Sequence, residues 1–330
     1  MNPKVSILIP VYNVSTFIEK CAKSLFNQTF HDIEYIFVDD GSIDQSIEKL
    51  KIVLQNYPFR KSQVKIIELP QTKGSAVARN IALLASTGDY ISFVDSDDYI
   101  DEDMIELLYL KIKEDNAEMA VCNTSIEYAT ETVIAEEYVS DDSNTYFQDF
   151  IKFDNTTASL CNKLVIRNLY LHDECKFIEG LNYLEDRHIM SRVYYFVKKI
   201  SKVDRAMYHY IQYNSNSITK TKKDAHFQNI IQYWELLDNF LKTKNTYTKY
   251  YQQLILPKVQ SKARLMIETN QSNLRKKYRS IFICEEKQCL NHLRKGERLM
   301  LFLVRYRLFW ATQLLHNYLV IKHKKKLIKL

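Results

Sequence analysis

Glycine is scarce in this 330-residue chain, and its scarcity excludes two common nucleotide-binding motifs. With five widely spaced glycines, neither the G-x-G-x-x-G fingerprint of dinucleotide-binding domains nor the G-x-x-x-x-G-K-[ST] loop of P-loop proteins can be written. A nucleotide bound here must be held another way, most simply through a metal ion on its phosphates. The glycines are Gly41, Gly74, Gly88, Gly180 and Gly296.

Two further absences concern metal clusters and export. None of the six cysteines forms a Cys-x-x-Cys pair, which argues against a zinc ribbon and favours reduced thiols. No cleavable apolar segment precedes the strand-like residues 5–9, so we expect the catalytic part to be cytoplasmic. The mean hydropathy of -0.31 argues against a polytopic membrane protein.

The chain carries a net charge of +6, but that charge is unevenly distributed. Basic residues concentrate near the C-terminus, whereas the first half holds many carboxylates. This distribution is typical of an electrostatic tail rather than of a nucleic-acid groove, so we expect no nucleic-acid partner.

Apolar, β-rich runs alternate with helical stretches over the first 125 residues. Strand-helix alternation predicts an α/β fold with a mainly parallel central sheet. We predict one domain over residues 1–220 and a helical region over 221–330. Less regular segments predict a hairpin over 126–139 that turns at Ala135 and Glu136, a helix over 186–197 and a strand over 207–213.

Carboxylates follow two of the predicted strands, where α/β sheets bind their ligands. Asp95 and Asp97 come directly after a buried strand, and this spacing allows them to share a Mg²⁺ or Mn²⁺ ion that bridges to a diphosphate. Alternatively, Asp97 or Asp98 caps the next helix. Asp40, after another strand, is a candidate acceptor for a nucleoside or a simple turn residue.

Three other positions have both a functional and a structural interpretation. Tyr12 offers a stacking face for a base, or it packs internally. Arg79 pairs with a diphosphate, with the rim aspartates, or with both. Glu185 and Asp186 open a helix, where they supply a general base or simply favour the helix dipole.

Four segments, in this order and spacing, resemble the family 2 glycosyltransferases. They are residues 5–13 (VSILIPVYN), 38–44 (VDDGSID), 78–80 (ARN) and 88–98 (GDYISFVDSDD). The resemblance continues more weakly through Asn162, Lys163 and the Glu185-Asp186 pair, and covers residues 3–215. The chain departs from the family pattern at Thr72, Ile81, Ala82 and Ile189.

The resemblance implies a GT-A fold and an inverting transfer from a nucleoside-diphosphate sugar, with a UDP-sugar favoured. The acceptor would be a glycan or a lipid-linked hydroxyl, and the cofactor Mn²⁺ or Mg²⁺. The resemblance implies Asp186 as the base, Asp40 as a nucleoside contact, and Asp95, Asp97 and His209 for the metal. With the interpretations of individual residues above, the predicted contacts are Pro10, Tyr12, Asp40, Arg79, Asp95, Ser96 and Asp97 for the nucleotide sugar, and Asn162, Lys163 and Glu185 for the acceptor.

Two other functions compete with this interpretation. A nucleotidyltransferase would need a basic, glycine-rich loop after the first strand, and residues 10–15 provide neither feature. A non-catalytic nucleotide-sugar-binding or scaffold protein would be expected to lack Asp97 or Asp186, and both are present.

Residues 299–321 are strongly apolar and are predicted as one helix. Arg305 and Arg307 make a membrane-spanning helix costly, at about 2.5–3.5 kcal/mol each. The helix either packs on the catalytic domain or lies on an anionic membrane surface, at the inner face of the cell membrane. Its predicted polar stripe comprises Arg298, Arg305, Thr312, His316 and His323.

Overall fold

The computed structural model describes residues 3–153, 156–214, 224–269 and 271–327. The chain divides into two compact units, one of residues 1–150 and 155–222, the other of residues 151–154 and 223–330. Up to residue 211 the elements are β1 (Val5–Val11), α1 (Ile18–Phe26), β2 (Ile33–Asp39), α2 (Ser46–Gln55), β3 (Val64–Glu68), α3 (Ser75–Ala85), β4 (Tyr90–Phe93), β5 (Tyr99–Ile100), α4 (Met104–Asp115), β6 (Met119–Glu127), β7 (Thr132–Ala135), α5 (Ser143–Lys152), β8 (Lys163–Ile166), α6 (Arg167–Tyr170), α7 (Glu185–Phe196) and β9 (Ile200–Ile211).

The described strands form one mixed sheet in the order β3-β2-β1-β4-β8-β6-β9-β5, and β7 pairs with β6. β1 lies parallel to β2 and β4, β2 to β3, and β6 to β9. β8 runs antiparallel to both β4 and β6. β5 and β7 are antiparallel to β9 and β6, respectively. The predicted α/β fold with a mainly parallel sheet is confirmed, and β5, β7 and β8 are its antiparallel strands.

The central strands are buried along almost their whole length, because helices cover the sheet. All four residues of β4 are buried, and so are six of the seven residues of β1 and of β2. Continuous apolar strands of this kind are typical of parallel sheets covered on both faces. Since β1, β2 and β4 are parallel, the loops after them meet at one edge of the sheet.

Two sequence predictions in this unit are wrong in detail. The hairpin turns at residues 128–131, and Ala135 pairs with Thr124 inside it, because the β-branched residues of β7 extend the ladder. β9 starts at Ile200 rather than near residue 207. A register shift in the β6–β9 ladder interrupts the two-residue period and hides the first half of this strand from sequence inspection.

The second unit is helical over its described residues. Its core includes Val259, Met266, Met300, Leu301 and Val304. No helix in the described residues is long and apolar enough to cross a membrane. Its helices are α8 (Asp224–Thr243), α9 (Tyr247–Glu268), α10 (Ser272–Lys277), α11 (Ile283–Cys289), α12 (Lys295–Arg305) and α13 (Phe309–Leu327).

The C-terminal segment is not the single helix that its sequence predicts. α12 ends at Arg305 and α13 begins at Phe309, and Arg307 between them adopts a φ of +60°. The break separates the predicted polar stripe into two helices. Thr312 is fully buried, and its hydroxyl accepts a hydrogen bond from Arg275 Nη1 at 3.0 Å. This residue therefore anchors α13 to the unit instead of facing solvent. His323 belongs to the part of α13 whose side chains lie outside the described set.

Candidate active site at the carboxyl edge of the sheet

The loops after β1 and β2 are tied together beside an exposed tyrosine. The Asn13 backbone N–H donates to Ser42 Oγ at 3.1 Å, and the Ile43 N–H donates to Asn13 Oδ1 at 3.0 Å. Tyr12, next in the chain to the end of β1, is 45% exposed, while Pro10 within β1 is half-buried. The exposed Tyr12 ring is thus available for stacking at the rim.

Asp40 organises the neighbouring loop. Its carboxylate accepts hydrogen bonds from Thr72 Oγ1 at 2.7 Å, from the Lys73 N–H at 2.7 Å and from the Gly74 N–H at 2.9 Å. A carboxylate has about four acceptor positions, so these bonds leave room for one more partner. Gly41 follows at a φ of +71°, and a Cβ there would lie 2.7 Å from the Gln71 carbonyl carbon, so only glycine fits this approach.

The turn after β4 contains three carboxylates, of which Asp95 and Asp97 are partly exposed. Asp95 Oδ1 pairs with Arg79 at 3.0 Å, and Asp97 Oδ2 accepts from Asn214 Nδ2 at 2.9 Å. Asp98 is buried and accepts a hydrogen bond from the Ile211 N–H at 2.8 Å. The helix-cap alternative is excluded, because β5 separates this turn from α4 and Asp103 occupies the N-cap position. The nearby Ser96 is buried rather than presented to the rim.

Like charges in this turn perturb one another. Burial raises the pKa of Asp97, and the charge of Asp95 raises it further, while the Asn214 hydrogen bond opposes the rise. Burial, with Asp95 and Asp97, raises the pKa of Asp98 to about 9. The turn is therefore short of positive charge, and its oxygen donors are those that Mg²⁺ and Mn²⁺ prefer. The residues present fit such an ion.

A divalent ion here would need few protein ligands. Among the described residues, no group of three or more His, Cys, Asp and Glu side chains is arranged to hold a metal. Mg²⁺ in phosphate-binding sites is often held by one or two carboxylates together with the phosphates of the substrate. Asp97 and Asp95 match that arrangement.

Arg79 joins this turn to the start of α7. Its Nη2 lies 3.0 Å from Asp95 Oδ1, whereas its Nη1 lies 3.1 Å from Asp186 Oδ1 and 3.3 Å from Glu185 Oε1. The Arg79 side chain is only 6% exposed. The structure thus shows the salt-bridge interpretation of Arg79, and contact with a diphosphate stays a prediction.

Asp186 occupies the first turn of α7 with its side chain 34% exposed. Burial raises its pKa, the Arg79 guanidinium acts in the opposite direction, and the charges of Glu185 and Asp95 raise the pKa further. The net direction is upward, so this carboxylate is a better proton acceptor than an ordinary aspartate.

The predicted acceptor contacts Asn162 and Lys163 lie in the protein interior. Both residues are buried, and Lys163 Nζ bonds to Asn162 Oδ1 at 2.6 Å and pairs with Glu137 at 3.5 Å. Asn162 Nδ2 also donates to Glu137, at 2.9 Å. These side chains form a polar cluster inside the first unit, which favours a structural role, and their contact with an acceptor stays a prediction.

The arrangement of His209 does not support its assignment to the metal. Its Nδ1 lies 3.0 Å from Glu127 Oε1, and its Nε2 lies 2.8 Å from Asp101 Oδ1. The ring stacks on Tyr99 at 4.2 Å. Both ring nitrogens have carboxylate partners, so His209 joins β9 to β5 and β6.

Sequence inspection missed two residues of the site. Asn214 bonds to Asp97, and Tyr208 donates from its hydroxyl to Asp98. Both lie more than 100 positions from their partners, and no local pattern marks them. Thr72 was visible only as a departure from the family pattern, although its hydroxyl holds Asp40.

A family model decides the identity of the fold. The model described as "Glycosyl transferase family 2" matches residues 6–171, half of the chain, and includes the rim carboxylates after β2 and β4. The chain belongs to the family 2 glycosyltransferases. The glycosyltransferase EpsJ of Bacillus subtilis is 28% identical over 342 residues, covering 95% of this chain and 96% of EpsJ. Glycosyltransferase GlyG of Streptococcus pneumoniae is 28% identical, covering 68% of this chain and 75% of GlyG.

Solved glycosyltransferases share the GT-A fold of this one. S. aureus TarS 1–349 in complex with UDP has a TM-score of 0.68 at 18% identity, covering 95% of this chain and 90% of that one. Mannosyltransferase PcManGT from Pyrobaculum calidifontis, in complex with GDP-Man and Mn²⁺, has a TM-score of 0.51 at 13% identity, covering 99% and 88%. This glycosyltransferase therefore has its carboxylate cluster on a fold known to carry sugar transfer.

Proposed function

We propose that this glycosyltransferase moves a sugar from a nucleoside diphosphate, with UDP favoured, to a hydroxyl of a glycan or lipid-linked acceptor, with inversion at the anomeric carbon. The observation that carries the proposal is the position of Arg79. One guanidinium contacts both Asp95, on the donor side, and Asp186, the candidate base. The guanidinium of Arg79 therefore lies between the proposed donor site at the turn after β4 and the proposed proton acceptor on α7.

Asp186 acts on the acceptor. Its carboxylate takes the proton of the acceptor hydroxyl as the oxygen attacks the anomeric carbon, and the bond from that carbon to the diphosphate breaks in the same step. A single displacement inverts the configuration. The Arg79 guanidinium orients Asp186 and favours its ionised form against the burial that raises the pKa of Asp186, and Glu185 shares the same guanidinium.

The proposed donor site lies on the Asp95 side of Arg79, opposite Asp186. Tyr12 offers its exposed face to the base, and Asp40 offers its remaining acceptor position to the nucleoside. Asp97, with Asp95 nearby, would hold Mn²⁺ or Mg²⁺. Such an ion, when bound, neutralises the charge that develops on the leaving diphosphate.

The nature of the donor is supported by the structural relatives. TarS has been solved with UDP and with UDP-GlcNAc, and PcManGT with GDP-Man and Mn²⁺. The uridine ligands belong to TarS, whose TM-score of 0.68 exceeds the 0.51 of PcManGT, and this favours a UDP-sugar for this chain.

A donor screen tests the proposal. The purified full chain is incubated with UDP-, GDP- and dTDP-sugars, with Mn²⁺ or with EDTA, and release of the nucleoside diphosphate is measured. We expect one nucleotide class to be hydrolysed, and only with the metal. If all donors stay intact while one binds, the chain is a binding or scaffold protein. Pyrophosphate release from a nucleoside triphosphate with a sugar phosphate would instead show a nucleotidyltransferase.

The proposed acceptor also predicts where in the cell this glycosyltransferase acts. A lipid-linked acceptor would lie at the inner face of the cell membrane, and a part of this chain that associates with lipid would bring the active site to it.

A further inference from the structure

The α12–α13 segment is apolar on two sides, although only one side is needed for the core. Met300, Leu301 and Val304 are buried in the second unit. On the same helix, Leu299 is 46% exposed and Phe302 52% exposed. A helix that is apolar on both faces normally has its second face covered as well.

The exposed side chains continue past the break between the helices. Tyr306 is 62% exposed, Trp310 71%, Leu314 63% and Tyr318 60%. Trp310, Leu314 and Tyr318 recur at four-residue steps on α13 and therefore share one face of that helix. We call the set Leu299, Phe302, Tyr306, Trp310, Leu314 and Tyr318 the aromatic ridge. Single exposed apolar residues are ordinary, but a repeated set of this size indicates an interaction surface.

Charge identifies the partner. Residues 298–330 contain eight lysines and arginines and no aspartate or glutamate. Because the whole chain has a net charge of +6, the other 297 residues have a net charge of -2. Arg298 and Arg307, within this segment, are exposed. Two copies of so basic a segment would repel each other, whereas an anionic surface would attract it.

We propose that the aromatic ridge docks on an anionic phospholipid surface. Tyrosine and tryptophan rings favour the boundary between headgroups and acyl chains, and a basic segment beside them attracts anionic headgroups. The proposal rests on the proposed function only in that a lipid-linked acceptor would lie on such a surface. The inward anchoring of Thr312 is compatible with it, because that side chain belongs to the other face of α13.

Intrinsic fluorescence tests the docking directly. The chain has two tryptophans; Trp234 is fully buried and Trp310 is the exposed one. Phosphatidylcholine vesicles with phosphatidylserine should shift the emission to shorter wavelength and sediment the full chain, while pure phosphatidylcholine should do neither. Raising NaCl from about 0.1 to about 0.5 M should release the protein, because salt screens exposed charges.

Two variants and one control locate the surface. Trp310→Ser/Leu314→Ser/Tyr318→Ser, and separately Lys322→Gln/Lys324→Gln/Lys325→Gln/Lys326→Gln, should each weaken vesicle binding by at least about tenfold. Ile52→Ser/Phe59→Ser/Leu84→Ser removes side chains that are 59%, 61% and 86% exposed in the first unit, and it should bind as the parent does.

The outcomes separate the two proposals. Donor turnover in detergent-free solution should be unchanged in all three variants, so lost vesicle binding with intact turnover supports the lipid surface. If the parent ignores anionic vesicles at low salt, the lipid proposal fails, whatever the turnover. If instead the parent is an oligomer that the ridge variant converts to a monomer without any vesicle binding, the ridge is a self-association surface and the proposal is equally overturned.

Discussion

Arg79 and Asp186 lie 107 positions apart in the sequence, yet Arg79 Nη1 contacts Asp186 Oδ1 at 3.1 Å. The same guanidinium contacts Asp95 after β4. Because the Arg79 side chain is almost fully buried, it has little freedom to leave either partner. The donor side and the acceptor side of the proposed reaction therefore depend on one residue.

Replacing the base should slow turnover without weakening donor binding. Asp186→Asn keeps the shape of the side chain but removes the proton acceptor, and loss of a general base lowers the rate by about 10²–10⁴. Calorimetric titration with UDP should give an unchanged Kd. Asp173→Asn, on a side chain that is 92% exposed, is the matched control. A weaker UDP affinity with normal turnover would move Asp186 to the donor side.

The pH dependence of kcat/KM should report the raised pKa of Asp186. The base must be ionised, so activity falls as the pH drops through its pKa, at a pH above the ordinary aspartate value of about 3.9. Arg79→Gln removes a positive charge that favours the carboxylate, and the acid limb should move to higher pH. Arg205→Gln, which breaks an exposed ion pair with Asp101, should leave the limb in place. An acid limb that Arg79→Gln leaves unmoved would show that Asp186 is not the titrating group.

Removing Asp97 should strongly lower metal-dependent turnover and spare the fold. Its loss costs several kcal/mol of transition-state stabilisation, a decrease of about a hundredfold or more. Because the pKa of Asp97 is raised in the folded chain, the native state gains stability as the pH falls through that pKa, and the ionised form is the less stable one. The urea midpoint of unfolding of Asp97→Asn at pH 8 should therefore be no lower than that of the parent. Full activity of the parent in excess EDTA would contradict the requirement for a divalent metal ion.

The buried Lys163–Glu137 pair should matter for stability and not for the acceptor. Lys163→Met leaves the Glu137 carboxylate buried without its cation, which lowers the free energy of unfolding by about 3–5 kcal/mol. Lys163→Met/Glu137→Gln should recover part of that loss. The control Lys61→Met, on the surface, should change the free energy of unfolding by less than about 0.5 kcal/mol. Urea unfolding with equal m-values measures these differences. A normal unfolding midpoint with a raised acceptor KM would restore Lys163 to the acceptor side.

Local sequence patterns were sufficient to predict the parallel strands and the carboxylates at the edge of the sheet. Continuous apolar runs define β1, β2 and β4, and the order of a parallel sheet places the carboxylates that follow them at one edge. This is why Asp95 and Asp97 could be singled out from sequence. Their roles towards a donor stay predictions.

Distant pairings could not be predicted in the same way. Lys163 has the charge of a surface residue, and its burial depends on Glu137, which lies 26 positions away. β8 enters the sheet antiparallel, although its sequence resembles any short apolar strand. The break between α12 and α13 has neither glycine nor proline as a signal, because Arg307 adopts the positive φ there.

The stereochemistry of donor hydrolysis tests the central claim most directly. With an α-linked UDP-sugar and Mn²⁺, proton NMR can follow the first sugar released before it mutarotates. A single displacement assisted by Asp186 predicts that the β-anomer forms first and that Asp186→Asn slows its appearance. Initial release of the α-anomer, at a rate that Asp186→Asn leaves unchanged, would contradict both the inversion and the base.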